Sequence, residues 1–239
     1  MTPMMSIPDA VHRRLAAETR LDLLRHPVAL SFADGVLTME GEVANVGAKK
    51  LALERAASVP GVEHIVDELR VAPACTMGDA QIRDHVRDLL LGEPALQPVA
   101  WAAPSPDVGV ALPPDVVLGT IGLSVAHGVV TLDGSVPSLA HKRLAGVLAW
   151  WVPGVRDVVN GLEVVPPEED DDDEITDAVH LVLEKDPLVD ATQLGVSTRG
   201  AVVTLTGVVL CEVERQAAER DAWCVFGVDD VKNEVQVRS

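Results

Sequence analysis

The chain has 239 residues, a net charge of −18 and a sequence pI near 4.6. Such an excess of acid disfavours binding to nucleic acid and adsorption to anionic lipid, because both need clustered Lys and Arg. The composition, 48% hydrophobic with two Phe and no Tyr, is that of a globular chain with small-residue cores. No stretch approaches the ~18 consecutive apolar residues of a membrane span, and no secretory signal is recognisable at the N-terminus. We therefore expect a soluble, cytoplasmic protein.

Each of three successive regions predicts the same elements in chain order. An amphipathic helix comes first, over residues 9–24 in the first region and around residues 82–90 and 175–183 in the others. Two alternating runs joined by a Gly-containing turn then predict a β-hairpin. Its strands are Val28–Phe32 and Val36–Gly41, Ile121–Val125 and Val129–Gly134, and Leu194–Ser197 and Val202–Gly207. A second helix (about residues 46–58, 139–151 and 212–225) precedes a last strand at Ile65–Val71, Val158–Val164 and Val231–Val237.

This regularity reflects an internal repeat. A 37-residue block occurs at residues 35–71, 128–164 and 201–237, with 16 identical positions between the first and second copies and 16 between the second and third. Unrelated segments would share about two or three. The predicted fold class is therefore α+β: three tandem αββαβ units, each a small mixed three-stranded sheet with two helices. We call them the first, second and third repeats.

Six glycines recur at equivalent positions of the three repeats. We interpret them as structural residues, which end the central strand or cap the second helix with a left-handed backbone. They are Gly41, Gly134 and Gly207 at the strand end, and Gly61, Gly154 and Gly227 after the helix.

The order of elements, the V-x-L-x-G strand end and the P-G-V before the last strand resemble the BON domain, a bacterial module of osmotically inducible periplasmic proteins and of proteins with nodulation-related domains. In the second repeat the motif residues are Val130–Gly134, Pro153–Val155 and Asn160, and in the third they are Val203–Gly207, Gly227–Val228 and Asn233. The first repeat has Leu37–Gly41 and Pro60–Val62, but Asp67 replaces the Asn. The predicted BON-like units are residues 6–72, 77–166 and 170–238, and the second contains a Pro-rich insertion at about 92–120.

The resemblance implies a non-enzymatic binding module, associated in the family with phospholipid or envelope interaction and with osmotic stress. A cytosolic relative of similar build is associated with potassium binding. The residues themselves show no nucleophile with a base nearby, and the seven scattered His form no metal-binding pair. We expect no enzymatic activity, no cofactor and no metal site. Three functions stay open: a protein-binding adaptor, a peripheral phospholipid-binding protein and a cytosolic cation sensor.

Two features distinguish the second repeat from the other two. Its second helix has Val147, Leu148 and Trp151 at positions that are polar in the first repeat. We expect them to form an exposed apolar patch, which packs on a neighbouring repeat or on the insertion, or binds a protein partner or a phospholipid surface. The insertion contains six prolines and Trp101, and we expect it to wrap over the patch with Trp101 as an anchor. The candidate binding residues are thus Trp101, Val147, Leu148 and Trp151.

The run Glu168–Glu174 (EEDDDDE) is the most acidic segment of the chain. It lacks the alternating ligand spacing and the central Gly of a calcium-binding loop. We interpret it as a linker between repeats, whose last acids lie at the N-terminus of the next helix and interact favourably with its dipole.

Overall fold

The computed structural model describes residues 6–97, 99–102 and 119–238. By backbone contacts the chain divides into two bodies, residues 1–72 with the first repeat and residues 73–239 with the second and third. All three repeats have the element order αββαβ around a small mixed sheet, which confirms the predicted α+β class.

The first repeat consists of a three-stranded sheet and two helices. Its elements are α1 (Ile7–Ala16), β1 (Val28–Ala33), β2 (Val36–Val43), α2 (Val46–Ala57) and β3 (His64–Val71). The central strand β2 pairs antiparallel with β1 and parallel with β3. Leu37 and Met39 of β2 are fully buried, because alternate residues of a strand share one face and the helices cover that face.

Helix α1 is shorter than the predicted span of residues 9–24. The Ser6 side chain caps its first turn, and the helix ends at Ala16. Two tight turns then occupy residues 17–26, and Leu24 is 99% exposed. The prediction of a longer helix was wrong, because Leu15 and Leu21 are six residues apart, which is not the spacing of one helix face.

The second and third repeats have the same plan, with one additional strand in the second. The second repeat contains α3 (Asp79–Gly92), β4 (Val99–Ala102), β5 (Gly119–Ala126), β6 (Val129–Val136), α4 (Leu139–Trp150), β7 (Asp157–Asn160) and β8 (Glu163–Val164). The third contains α5 (Asp172–Lys185), β9 (Leu194–Arg199), β10 (Val202–Val209), α6 (Glu212–Cys224), β11 (Asp230–Asn233) and β12 (Gln236–Val237). Short 3₁₀ helices span Pro94–Leu96 and Ala191–Gln193.

The last predicted strand is interrupted in these two repeats. Strand β6 pairs antiparallel with β5 and parallel with both β7 and β8, and β10 pairs in the same way with β9, β11 and β12. At the interruption the Asn160 side chain accepts a hydrogen bond from the Leu162 N–H at 3.4 Å. The Asn233 side chain does the same for the Val235 N–H at 3.2 Å. The two short strands are therefore one strand bent at an asparagine.

The Pro-rich insertion contributes strand β4. Its backbone pairs parallel with β5, from Val99 opposite Gly119 to Ala102 opposite Gly122. Strand β4 lies at the edge of the sheet, the position in which a proline-containing segment is tolerated because one side of its backbone has no strand partner. Residues 103–118, which form most of the insertion, lie outside the described residues.

The repeated glycines differ in what the backbone requires of them. Gly134 has φ 117°, and a Cβ there would lie 2.2 Å from the Thr120 carbonyl oxygen of the paired strand, so only glycine fits. Gly154 is an exception to the expected left-handed cap, because its φ is not positive. There the Met77 side chain occupies the space that a Cβ would need, at 2.6 Å. Close packing explains glycine at that position.

Candidate binding surfaces

Two of the four candidate binding residues are buried in helix α4. Val147 is 0% exposed and Leu148 is 4% exposed. Helix α4 packs on α3 of its own repeat and on α5 and α6 of the third repeat. The expectation that both side chains are exposed was wrong, because the helical period identifies an apolar face but not what covers it. A role in binding a partner stays a prediction, and the burial matches the alternative of packing on a neighbouring repeat.

The other two candidates, Trp151 and Trp101, belong to different elements of the second repeat. Trp151 follows the last turn of α4 and is partly exposed. Its indole Nε1–H donates a hydrogen bond of 3.0 Å to Oδ1 of Asp221 in α6. Trp101 belongs to β4, where its backbone pairs opposite Ile121. The expected wrapping of the insertion over the α4 patch falls mainly on residues 103–118, outside the described part of the chain.

The Trp151 indole binds one member of a buried carboxyl pair. Asp221 is 0% exposed, and Asp186 at the C-terminus of α5 is also buried. Burial, followed by the neighbouring Asp186 carboxyl, raises the pKa of Asp221 to about 8. The Arg220 Nη2 atom lies 3.7 Å from Oδ2 of Asp186. Asp221 therefore retains its proton near neutral pH, at the contact between the second and third repeats.

A buried arginine makes the second polar contact between these repeats. The Arg143 side chain in α4 is 1% exposed. Its Nε–H donates a hydrogen bond of 3.0 Å to the Phe226 carbonyl after α6, and its Nη2 pairs with Asp170 of the acidic linker. The Lys142 ammonium lies 5.0 Å from the centre of the Phe226 ring, within the range of a cation–π interaction. Arg143 thus links α4 to the linker and to the end of α6.

The acidic linker makes specific contacts, in line with its interpretation as a connection between repeats. Glu168 accepts a hydrogen bond of 2.7 Å from the Leu139 N–H at the start of α4. Asp172, the first residue of α5, accepts bonds from the Ala201 N–H at 2.9 Å and the Gly200 N–H at 2.7 Å. These two backbone donors hold the pKa of Asp172 below its ordinary value. The linker is therefore fixed at both ends by carboxylates that accept backbone N–H groups.

The same device recurs in the second repeat, where sequence reasoning missed it. Asp79 is the first residue of α3 and accepts hydrogen bonds of 2.9 Å from the N–H groups of both Gly128 and His127. In each case an aspartate that starts a helix holds the hairpin turn of its own repeat. The recurring signal in the sequence is an Asp at the first helical position of α3 and α5, whereas the first repeat has Ile7 at that position.

The asparagine of the resembled motif is structural in this chain. The Asn160 Nδ2 donates a hydrogen bond of 2.8 Å to the Lys142 carbonyl in α4, which holds the helix to the last strand. The first repeat has Asp67 at this position, and an ionised carboxylate cannot donate. There the buried Lys49 ammonium lies 2.9 Å from Oδ2 of Asp67 and donates to the Leu69 carbonyl at 2.9 Å. An ion pair thus replaces the amide.

The first repeat has an open groove with two arginines. Arg13 and Arg14 near the end of α1 line it together with Ser58, Val59 and Pro60. Both arginines are exposed, and neither pairs with a carboxylate among the described residues. The groove is thus a local site of positive charge on an acidic chain, and it suits an anionic group.

Some kinds of site are missing from the part of the chain that the structure describes. In residues 6–97, 99–102 and 119–238, no three His, Cys, Asp or Glu side chains come together as metal ligands. Within the same ranges no helix is long and apolar enough to cross a membrane.

Comparison with known proteins identifies the repeats. The BON domain family matches residues 7–73, 115–166 and 171–239. No curated protein matches the chain. Two solved structures of CdsD, a structural protein of the type III secretion system of Chlamydia trachomatis, align at 15% identity and a TM-score of 0.24. The alignment to its C-terminal domain covers 99% of each chain, and the other covers 98% of this chain and 93% of that one.

Proposed function

The chain belongs to the BON domain family, and on that premise we propose that it is a non-enzymatic adaptor that binds another protein. BON domains are binding modules without catalytic activity. The observation that carries the proposal is the packing of α4 against α5 and α6, which makes one body of two BON repeats. A body of this size offers a partner a surface of fixed geometry, and a fixed surface reduces the entropy lost on binding.

Charge supports a protein partner over a phospholipid surface. A net charge of −18 repels the anionic face of a membrane and attracts partners that carry Lys and Arg. Val147 and Leu148 of α4 are buried, so they are not available to insert into lipid. Binding by this chain therefore has to use other surfaces of the paired repeats.

The test sets vesicle binding against protein capture for the full chain. We expect the protein to stay in the supernatant with both neutral and anionic vesicles at about 0.15 M salt. Chemical crosslinking in extract of the producing organism should give a discrete adduct that saturates as the protein concentration rises. Sedimentation with vesicles that survives high salt, without a saturable adduct, would contradict the adaptor proposal.

A second candidate function, peripheral binding of phospholipid, is favoured by the arginine groove of the first repeat. We infer that Arg13 and Arg14 would contact the phosphate of an anionic headgroup, since neither guanidinium has a carboxylate partner among the described residues. An Arg13→Gln/Arg14→Gln variant should then lose co-sedimentation with anionic vesicles. The matched control is Arg83→Gln/Arg87→Gln on α3, which removes the same charge from two exposed arginines. An equal loss of co-sedimentation in both variants would mean that net charge alone causes the effect, and it would contradict a phospholipid site in the groove.

A further inference from the structure

The third repeat exposes three large apolar side chains on two neighbouring segments. Leu210 is 75% exposed, Val213 66% and Leu188 59%. Single exposed apolar residues are ordinary on protein surfaces, whereas a group of them marks an interaction site. Leu210 and Val213 lie within four consecutive residues, from the turn after β10 to the first turn of α6. We call these three residues the third-repeat patch.

The other two repeats lack this patch. Where the third has Leu210 and Val213, the first repeat has Ala44 and Gly47 at the aligned positions. The second repeat has Pro137 and Ala140 there. The other repeats form the same fold without large apolar side chains at these two positions. The patch is therefore a feature of the third repeat rather than of the common architecture.

A buried glutamate holds the two segments of the patch together. Glu214 of α6 accepts a hydrogen bond of 3.0 Å from the Asp190 N–H through Oε1, and one of 3.0 Å from the Leu210 N–H through Oε2. It thereby connects the loop that contains Leu188 to the turn that contains Leu210. The first and second repeats have Ala48 and His141 at the position of Glu214, so neither has a carboxylate there. Both segments are thus ordered before any partner binds, which lowers the entropic cost of binding.

The charges beside the patch define the chemistry of its partner. Asp190 and Glu212 flank it and are exposed. Arg215 pairs with Glu212 at 2.7 Å, so that these two charges neutralise each other and Asp190 is the carboxylate that remains for a partner. On a chain of net charge −18, the complement of this surface is an apolar stripe that carries Lys or Arg at the side of Asp190.

We propose that the third-repeat patch is the docking site for an amphipathic helix of a partner protein, with leucine-type side chains on one face and lysine or arginine beside them. The proposal rests on the adaptor function and names the surface and the partner chemistry for it. The helix would place apolar side chains at i, i+3, i+4 and i+7 over Leu210 and Val213, and a basic residue opposite Asp190.

The test uses two synthetic helical peptides of about 18 residues with the same leucine stripe. One carries Lys on its other positions and the second carries Glu. Fluorescence anisotropy at about 0.15 M salt measures their binding to the full chain, to Leu210→Asp/Val213→Asp and to the matched control Leu89→Asp/Leu91→Asp on α3. We expect the Lys peptide to bind the native chain and the control alike, and the patch variant at least about tenfold more weakly. All substituted positions are exposed, so circular dichroism should show folded proteins throughout.

Three results would overturn the proposal. The first is equal affinity of the Lys peptide for all three proteins, and the second is equal binding of the Glu peptide. The third is a concentration-dependent dimer of the native chain that the patch variant lacks, because the occupant would then be a second copy. If crosslinking still captures a protein with the patch variant at undiminished yield, the adaptor function stands and only its assignment to this patch fails.

Discussion

Helices α2 and α4 occupy the same place in the repeat, and their outer faces have different chemistry. Helix α2 carries Glu54 and Arg55 where α4 carries Val147 and Leu148. Both α4 residues are buried, Leu148 in the hydrophobic core of its own repeat with side chains of α3, and α4 also contacts α5 and α6 of the third repeat. Arg55 instead pairs with Glu18 of its own repeat at 2.9 Å. One backbone plan therefore supports either a contact between repeats or a hydrated helix face, and two or three side chains decide which.

The difference extends to the polar groups around the apolar contact. On α4 the apolar residues are accompanied by Arg143 and, just after the helix, by Trp151, which bond to the Phe226 carbonyl and to Asp221. Polar groups taken out of water are costly unless they are hydrogen-bonded, so these bonds fix one register of α4 against α6. Apolar burial makes the contact stable, and the two polar bonds make it specific.

The largest expected effect follows from reversing the character of the α4 face. Leu148→Asp places a carboxylate where the native side chain is 4% exposed, and we expect a loss of ~3 kcal/mol or more in the free energy of unfolding. Urea unfolding followed by tryptophan fluorescence measures it, because all four Trp lie in the body of residues 73–239. A variant as stable as the native chain would show that the Leu148 side chain is not buried in solution.

Arg143 gives the next largest effect. Arg143→Ala removes the bond to Phe226 and the pair with Asp170 and leaves a cavity, and we expect it to cost ~3 kcal/mol. Arg143→Met should cost only ~1 kcal/mol, because it fills the volume and also removes Nη1, a buried nitrogen without a hydrogen-bond partner. The exposed Arg87→Ala serves as the control. Equal losses for Ala and Met would mean that the hydrogen bonds, rather than the packing, account for the effect.

The buried carboxyl pair predicts a pH dependence of stability. Because the pKa of Asp221 is raised to about 8 from an ordinary 3.8, the folded protein keeps a proton that the unfolded chain releases above pH 4. The stabilisation is therefore complete below about pH 4 and is lost progressively as the pH rises to about 8. Asp221→Asn removes this titration and still offers an oxygen to the Trp151 indole. We expect the variant to gain about 1–3 kcal/mol of stability at pH 8.

Urea titrations from pH 5 to pH 8 check this prediction. The slope of the free energy of unfolding against pH should flatten in Asp221→Asn. In Trp151→Phe that slope should stay unchanged, while the free energy of unfolding should fall by about 1 kcal/mol. Asp186 and Arg220 face Asp221 in both proteins, so their contributions cancel in the comparison. An unchanged slope in Asp221→Asn would mean that Asp221 is ionised in the folded protein at neutral pH.

The sequence predicts what lies within one repeat better than what lies between repeats. The hairpins and the central strands follow from alternation and Gly-containing turns, and the structure has them at β2, β6 and β10. The contact of Trp151 with Asp221 joins residues 70 positions apart, and no periodicity reports such a pairing. A signal was nevertheless present. Asp221 aligns with the apolar Leu148 of the second repeat, and an acid at such a position, next to Ala222 and Trp223, is a candidate for a buried carboxyl.

The end of α1 and the α4 patch show two further limits of pattern reasoning. The leucines after Ala16 suggested more helix, but turns formed by local hydrogen bonds took precedence over an irregular stripe. In α4, the apolar residues were recognised correctly as a second face, and their exposure was not. A sequence gives the chemistry of a face, whereas the partner of that face depends on how separate repeats assemble.

The smallest expected effect is on helix α2, whose outer face is polar. Arg55 aligns with Leu148, and Arg55→Ala removes its 2.9 Å pair with Glu18. Arg20 also holds Glu18, at 3.0 Å, and with Arg55 it lowers the pKa of that carboxyl to about 2. We therefore expect a loss of only about 0.5–1 kcal/mol at neutral pH, measured by amide hydrogen exchange in α2. Because Glu18 contributes stability above pH 4.5 that is lost as the pH falls toward 2, the native chain and the variant should converge at low pH. If Arg55→Ala lost as much free energy of unfolding as Leu148→Asp, the polar face of α2 would be as important to the stability of its repeat as the apolar face of α4. The two helices would then differ only in the groups that their faces contact.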